Sequence, residues 1–239
     1  MYKNLLAGIF LTSSICLTGC GGGGGGGGGA APNTNTSVFQ LDAAYINSIK
    51  YASTTPYTMT ANVTTGEAVY GSGTIIKDAA NKVSYVFEGI PVLQQIITDS
   101  GTTTVNGVTS SYSEKSSTYY KLNYLPVGYD SGEYVVVTNA SGLPSNATVN
   151  AKGNIYTAHR YADSTKATPL GTESATYSLV DDNTGSTALL KIITVRKDAL
   201  GKIDDTSTAT FRITPDGSQT LLNMVMVMGN GDTITITYN

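Results

Sequence analysis

Tryptophan is absent from this chain of 239 residues, histidine occurs once, and both cysteines fall within the first twenty positions. Each shortage excludes a class of chemistry. A catalytic triad, a histidine metal site or a histidine pH switch has only His159 to build on. Asp163 lies four residues on, a helical pairing distance, but 153–159 reads as a strand, where the period of two separates them. Beyond position 20 there is no thiol for a disulfide or a cysteine nucleophile. Without tryptophan the usual stacking platform for sugar rings is missing. Charged residues make up 13%, and the 14 Lys and Arg are scattered among 17 Asp and Glu, so no basic surface for nucleic acid is expected. No Gly-x-Ser-x-Gly elbow exists; Gly128-Tyr129-Asp130-Ser131-Gly132 has its serine one place too late and reads as a turn.

The N-terminus carries an address. Lys3 precedes an apolar run over 5–17, about 13 residues and too short for the about 20 that cross a bilayer as a helix, so the run reads as a removable export signal. The run ends in Leu17-Thr18-Gly19-Cys20, which resembles the bacterial lipobox. The resemblance implies that 1–19 is a signal peptide and that Cys20 receives a diacylglycerol and becomes the acylated first residue. Cys16 leaves with the signal, and acylation accounts for the remaining thiol. The membrane is then a partner through the lipid on Cys20, and the chain is tethered rather than spanning. Gly21 after Cys20, in place of Asp, is the arrangement that accompanies outer-membrane sorting in enteric lipoproteins. Nine glycines over 21–29 and the polar stretch to 36 form a linker with a reach of about 20 Å. They lack the Lys and Ser or Thr of a phosphate-binding loop.

Residues 37–239 are expected to form one β-rich domain. Val38, Leu41, Tyr45, Ile49 and Ala52 recur at helical spacing, which predicts a short helix over 38–51 with Ser37 as N-cap. From Tyr57 onward, runs rich in Val, Ile, Thr and Tyr alternate with turn clusters. Strands are predicted over 57–64, 67–77, 82–88, 92–98, 102–105, 108–113, 117–124, 133–138, 148–161, 173–180, 187–196, 206–213, 219–228 and 232–238. Ala209, Phe211 and Ile213 alternate with Thr208, Thr210 and Arg212, one face dry and one wet. In the next strand Leu222, Met224, Met226 and Met228 oppose Leu221, Val225 and Val227, so both faces ask for cover; 187–196 repeats the pattern. The fold class is all-β, a mainly antiparallel meander with one short N-terminal helix. A barrel or curled sheet satisfies these patterns, and a β-sandwich is the alternative. A membrane-spanning barrel is disfavoured by the lipobox and by a C-terminus ending in Asn239.

Few residues carry chemistry. Glu67, Glu88, Glu114, Glu133 and Glu173 lie in or beside strands and are expected on solvated faces. Asp181, Asn183 and Gly185 mimic the opening of a calcium loop but lack its distal Glu, and they read as a turn, as does Asp204-Asp205. Tyr119, Tyr120, Tyr124, Tyr129 and Tyr134 are either ordinary strand residues or a binding surface. The lipobox, the glycine tract, Tyr85-Val86-Phe87-Glu88-Gly89 and Tyr161-Ala162-Asp163-Ser164-Thr165 together resemble uncharacterised β-rich lipoproteins of Gram-negative bacteria, a resemblance that brings no activity with it. No catalytic residue, metal ligand or cofactor is assigned, and no ligand-binding residue is located. The expectation is a lipid-anchored protein of the cell envelope, at the outer membrane, that binds an apolar ligand, an envelope component or a partner protein. A carboxylate-dependent hydrolase of envelope glycans and a structural or adhesive surface lipoprotein are the alternatives.

Overall fold

A computed structural model describes residues 36–80 and 82–239. The export signal, the lipobox with Cys20 and the glycine linker lie outside the described residues. The described part is a closed antiparallel barrel with a helix across one mouth. The strands are β1 (Ser53–Asn62), β2 (Ala68–Lys77), β3 (Val83–Phe87), β4 (Ile90–Val105), β5 (Val108–Tyr120), β6 (Pro126–Asp130) and β7 (Tyr134–Ala140). They continue with β8 (Lys152–Tyr161), β9 (Pro169–Asp181), β10 (Ala188–Asp198), β11 (Ile203–Ile213), β12 (Gln219–Met228) and β13 (Thr233–Tyr238). From β3 to β13 each strand pairs with its successor, and β13 pairs back onto β1. β2 closes the ring by pairing with β4, from Val69↔Val105 to Lys77↔Ile97. Twelve of the thirteen strands form the barrel. β3 is left outside it, paired only with the first residues of β4.

The seam between β2 and β4 depends on glycine. A Cβ on Gly71 would sit 2.4 Å from the Thr102 carbonyl oxygen, one on Gly73 would sit 2.6 Å from that of Ser100, and one on Gly101 would sit 2.2 Å from that of Ser72. Bare backbone lets the two strands approach and turn the sheet through its last corner. Bulges between β8 and β9, between β10 and β11 and between β11 and β12 add curvature elsewhere.

Inward faces carry the core. Tyr57, Met59, Ile75, Ile97, Leu190, Ile192, Phe211, Met224, Met226 and Ile236 are all buried. Outward positions are largely Thr and Ser, such as Thr58 and Thr60 on β1, Ser111 and Ser113 on β5, and Thr206, Thr208 and Thr210 on β11. A membrane-spanning barrel has the inverse arrangement, an apolar band outside and polar residues within. β12 explains why both its faces looked apolar. The bulge leaves Leu222 unpaired between Leu221↔Phe211 and Asn223↔Thr210, and the inward set shifts from Leu221 to Met224 and Met226. Val227 is left exposed.

Helix α1 (Leu41–Lys50) buries Leu41, Ala44, Tyr45, Ser48 and Ile49 over the mouth. It is shorter than the sequence suggests, and Gln40, not Ser37, is its N-cap. Phe39 instead exchanges backbone hydrogen bonds with Ala147 at 2.8 and 3.0 Å, which holds the preceding chain extended. Two buried glutamines fix the helix to the barrel rim. Gln219 Nε2 donates to the Ala44 carbonyl at 3.1 Å, and Gln95 Nε2 donates to those of Ser48 at 3.1 Å and Asp78 at 3.0 Å. Three expectations are corrected. The stretches 92–98 and 102–105 lie in one strand, as do 108–113 and the first half of 117–124, and residues 128–130 of the stretch read as a turn belong to strand β6. Gly128 belongs there because a Cβ would lie 2.6 Å from the Phe87 ring and 2.2 Å from the Val135 carbonyl oxygen.

Gly73→Ala is predicted to destabilise the chain by about 1–3 kcal/mol, since the methyl meets backbone and two tyrosine hydroxyls rather than a yielding side chain. A urea titration followed by circular dichroism measures it. Gly89→Ala, at an open turn with φ +75, loses stability through backbone strain alone and makes a useful comparison.

Candidate functional site

The two ends of the lumen differ in chemistry. At the end away from α1, Arg160 of β8 and Arg196 of β10 project inward and are almost fully buried. Glu133 bridges them, accepting from Arg160 Nε at 2.9 Å and from Arg196 Nη2 at 2.6 Å. Asp204 takes a second contact from Arg160 at 2.9 Å, and Asp205 takes Arg196 at 3.0 Å. Glu173 of β9 accepts the hydroxyls of Tyr129 and Tyr156 at 2.5 Å each. Burial opposes ionisation of Glu133, but the two guanidiniums hold its carboxyl below the usual range. Burial wins at Glu173 and Asp205, whose carboxyls are pushed up against the pull of Tyr129, Tyr156 and the arginines. Glu133 and Glu173 were expected on wet faces, and Asp205 in a turn; Glu173 and Asp205 are instead buried inside the barrel, and Glu133 is half-buried in the turn before β7, where it bridges the two arginines. Such a network is expensive to break, because removing one partner strands a buried charge.

A second polar group lies behind the glycine seam. Tyr57 Oη donates to Asp99 Oδ1 at 2.8 Å and is hydrogen-bonded to the Tyr112 hydroxyl. Asp99 Oδ2 is buried with no partner among the described residues. Burial pushes the Asp99 carboxyl up to about 6, against the Tyr57 hydrogen bond, and the Tyr112 hydroxyl up to about 12. Glu114 stands opposite Asp99 on β5 and adds to its rise.

The other sequence candidates are dispersed. His159 is exposed on the outer wall, its ring 6.4 Å from that of Tyr161, and Asp163 bonds Thr165 in a turn. Glu67 accepts from Asn106, and Glu88 pairs with Lys166 at 2.6 Å. Asp181 and Asp182 cap the backbone of Asn183 and Thr184, which makes the apparent calcium loop a hydrogen-bonded turn. Among the described residues no three His, Cys, Asp or Glu converge to hold a metal. Of the clustered tyrosines, Tyr120 and Tyr129 face the core, while Tyr119 and Tyr134 belong to a small cluster with Phe87.

The open volume lies at the helix end, where the barrel wall is incomplete. β13 pairs with β1 only from Tyr57↔Tyr238, and with β12 only from Asn223↔Thr237. Ser53–Thr55 of β1 and Gln219–Leu221 of β12 therefore run on past its end and flank a notch one strand wide, about 10 Å across from the spacing of paired strands. The notch opens into a groove of ≈ 650 Å³. Ala44, Leu221 and Tyr238 supply its buried apolar floor, Tyr51 and Asn47 of the helix end one rim, and Thr54 and Thr220 the strand rims. No charged side chain lines it. By contrast, the void among Tyr45, Thr118, Tyr120, Tyr129 and Tyr156 is only ≈ 10 Å³, room for about one water. The groove was missed in the sequence because it arises from unequal strand lengths across β1, β12 and β13.

No family model and no curated protein matches the chain. Two solved structures align with it. One is a DUF1329 family protein from Desulfovibrio piger, 10% identical over 82% of this chain and 88% of that one, with a TM-score of 0.37. The other is a LolA superfamily protein from Nitrosomonas europaea, 7% identical over 80% and 84%, with a TM-score of 0.33. At TM-scores this low neither contributes to the assignment, which rests on the geometry of the barrel itself.

Asp99→Asn tests the seam pocket. The folded chain holds the Asp99 proton more tightly than an unfolded chain does, so its contribution to stability is fullest below the ordinary carboxylate range and is lost as pH rises towards about 6. The variant is predicted to melt higher than wild type above about pH 7, with the gap closing below about pH 4. Calorimetry across that range measures it.

Proposed function

We propose that the protein is a binding module, held to the envelope by a lipid on Cys20, that takes an uncharged amphiphile in the notch between β1 and β12. The observation that carries this reading is a groove of ≈ 650 Å³ with an apolar floor, hydroxyl and amide rims and no charged side chain. Its volume falls in the range of about 300–1,000 Å³ typical of small-ligand sites. An acyl or similarly apolar body would lie against Ala44, Leu221 and Tyr238, and a neutral polar head would meet Asn47, Thr54 and Thr220. An anionic head would be desolvated there without a cation to receive it.

The lipobox Leu17-Thr18-Gly19-Cys20 and Gly21 support a place at the outer membrane, and the linker would give the groove access to lipids of that surface. A hydrolase reading has less support: no carboxylate side chain lines the groove, and Glu133, Glu173 and Asp205 are occupied by arginine or tyrosine.

Binding of a pyrene-labelled monoacylglycerol, followed by fluorescence, tests the proposal. Wild type is predicted to bind it saturably and the matching fatty acid at least tenfold more weakly. Thr220→Arg, an exposed rim position, should abolish binding without lowering the melting temperature. Equal binding by Thr220→Arg and wild type, or no binding by wild type, refutes the assignment of the groove.

A further inference from the structure

One corner of the helix mouth projects apolar and basic side chains away from the core. α1 ends at Lys50, and Tyr51 just beyond it is 65% exposed. Beside it the turn between β5 and β6, residues 121–125, presents Lys121 to water and leaves Leu122 64% exposed. The two segments are fixed to each other. Lys50 Nζ lies 5.1 Å from the centroid of the Tyr124 ring, and the rings of Tyr45 on α1 and Tyr120 at the end of β5 meet edge to face at 6.4 Å. Within the turn, the Lys121 N–H donates to the Leu125 carbonyl and the Tyr124 N–H to that of Lys121, each at 2.8 Å. Leu122 is therefore held out on a closed, hydrogen-bonded turn.

Two features of the molecule name the surface that meets this corner. The first is where the chain enters. Phe39 pairs with Ala147 and α1 starts at Leu41, so the stretch from Cys20 to Thr36, with the reach of about 20 Å expected of its composition, ends at the helix mouth. The arginine mouth lies a strand length further off, about 30 Å. A lipid on Cys20 thus keeps the helix mouth, and not the other, beside the bilayer. The second feature is charge. Asp42 lies in the first turn of α1, Asp216 in the turn whose Pro215 carbonyl accepts from the Gln40 N–H, and Asp182 pairs with Arg212 near the end of β11. Lys50 and Lys121 stand at the opposite end of the helix. In the turn bonded to that end through Ala80 N–H and the Ile49 carbonyl, Asp78 and Lys82 are both exposed and offset one another.

We propose that the corner formed by Lys50, Tyr51, Lys121 and Leu122 seats on a bilayer surface carrying anionic headgroups, an inference that rests on the anchoring and the groove read above. Leu122 enters the acyl boundary, Tyr51 lies at headgroup level with its hydroxyl in water, and the two lysines meet lipid phosphates. Tyr51 and Asn47 also form one rim of the groove, so seating the corner turns the groove towards the lipid and lets an amphiphile enter without crossing water. Two lysines and two apolar side chains hold weakly by themselves. The tether supplies the local concentration that makes the contact persist.

The absence of tryptophan supplies the test, because a single introduced one is the only indole in the chain. The full chain, expressed in a Gram-negative host and reconstituted in vesicles of phosphatidylethanolamine and phosphatidylglycerol, carries either Leu122→Trp or Leu200→Trp, the latter 94% exposed in the turn after β10 at the arginine mouth. Leu122→Trp is predicted to shift its emission to the blue and to lose about half of it to brominated lipid, while Leu200→Trp emits as in water. Adding Lys121→Glu to Leu122→Trp, or raising the salt, should return the emission to its value in water, with the melting temperature of the variant unchanged. Flotation with the vesicles reads the anchor separately, and the pyrene probe reads the groove. A chain that floats while Leu122→Trp emits as in water, equal quenching of Leu200→Trp, or quenching indifferent to Lys121→Glu overturns the docking and leaves the anchor standing. A chain that does not float overturns both.

Discussion

Closure of twelve strands sets the terms for everything else in this molecule. A barrel of about eight strands is filled by the side chains of its own wall, and a wider one encloses space that must be occupied, wet or plugged. This chain occupies it. Tyr57, Tyr120, Tyr129 and Tyr156 reach inward where smaller residues would leave voids, and α1 contributes Leu41, Tyr45 and Ile49 from one mouth. At the other end two arginines and their carboxylates do the same work with polar groups, each charge matched to a neighbour. The composition that looked incidental, rich in tyrosine and without tryptophan, is that of a wide lumen filled by long side chains that end in a hydroxyl.

From this follows a division between the ends. The arginine end is rigid by electrostatic necessity, since opening it would expose or strand several buried ions at once. The helix end is held by backbone carbonyls and two glutamines, contacts that are individually modest. It is also where β13 stops short, leaving main chain and apolar floor accessible. A binding function is therefore better placed at the mouth than in the barrel interior, and the threonine-rich outer wall suits a domain that stands in water.

Much of this architecture was legible in the sequence. The helix, the run of short antiparallel strands, the final hairpins and the alternation through Ala209, Phe211 and Ile213 all follow from periodicity and turn chemistry. Three things were not. Closure by β2 and β4 joins residues that no local pattern connects. The bulge at Leu222 shifts which residues face inward, so β12 seemed to need cover on both sides. The ionic network combines residues from four strands and one turn. Its only local trace is parity: Arg196 continues the inward series Leu190, Ile192 and Thr194, and Glu173 shares its series with Ala175. Charged residues on the dry parity of a strand were the available signal, and assigning glutamates to solvent by residue type alone overlooked it.

The measurement that bears most directly on a filled barrel with one responsive mouth is hydrogen–deuterium exchange, with and without saturating monoacylglycerol. The account predicts slow exchange in β9, β10 and β11 that the amphiphile leaves unchanged, and new protection confined to the end of α1, the start of β1 and residues 217–221. Protection appearing instead at Arg160, Arg196 and their neighbours would mean that the ligand enters the lumen from the opposite end, and would contradict the account.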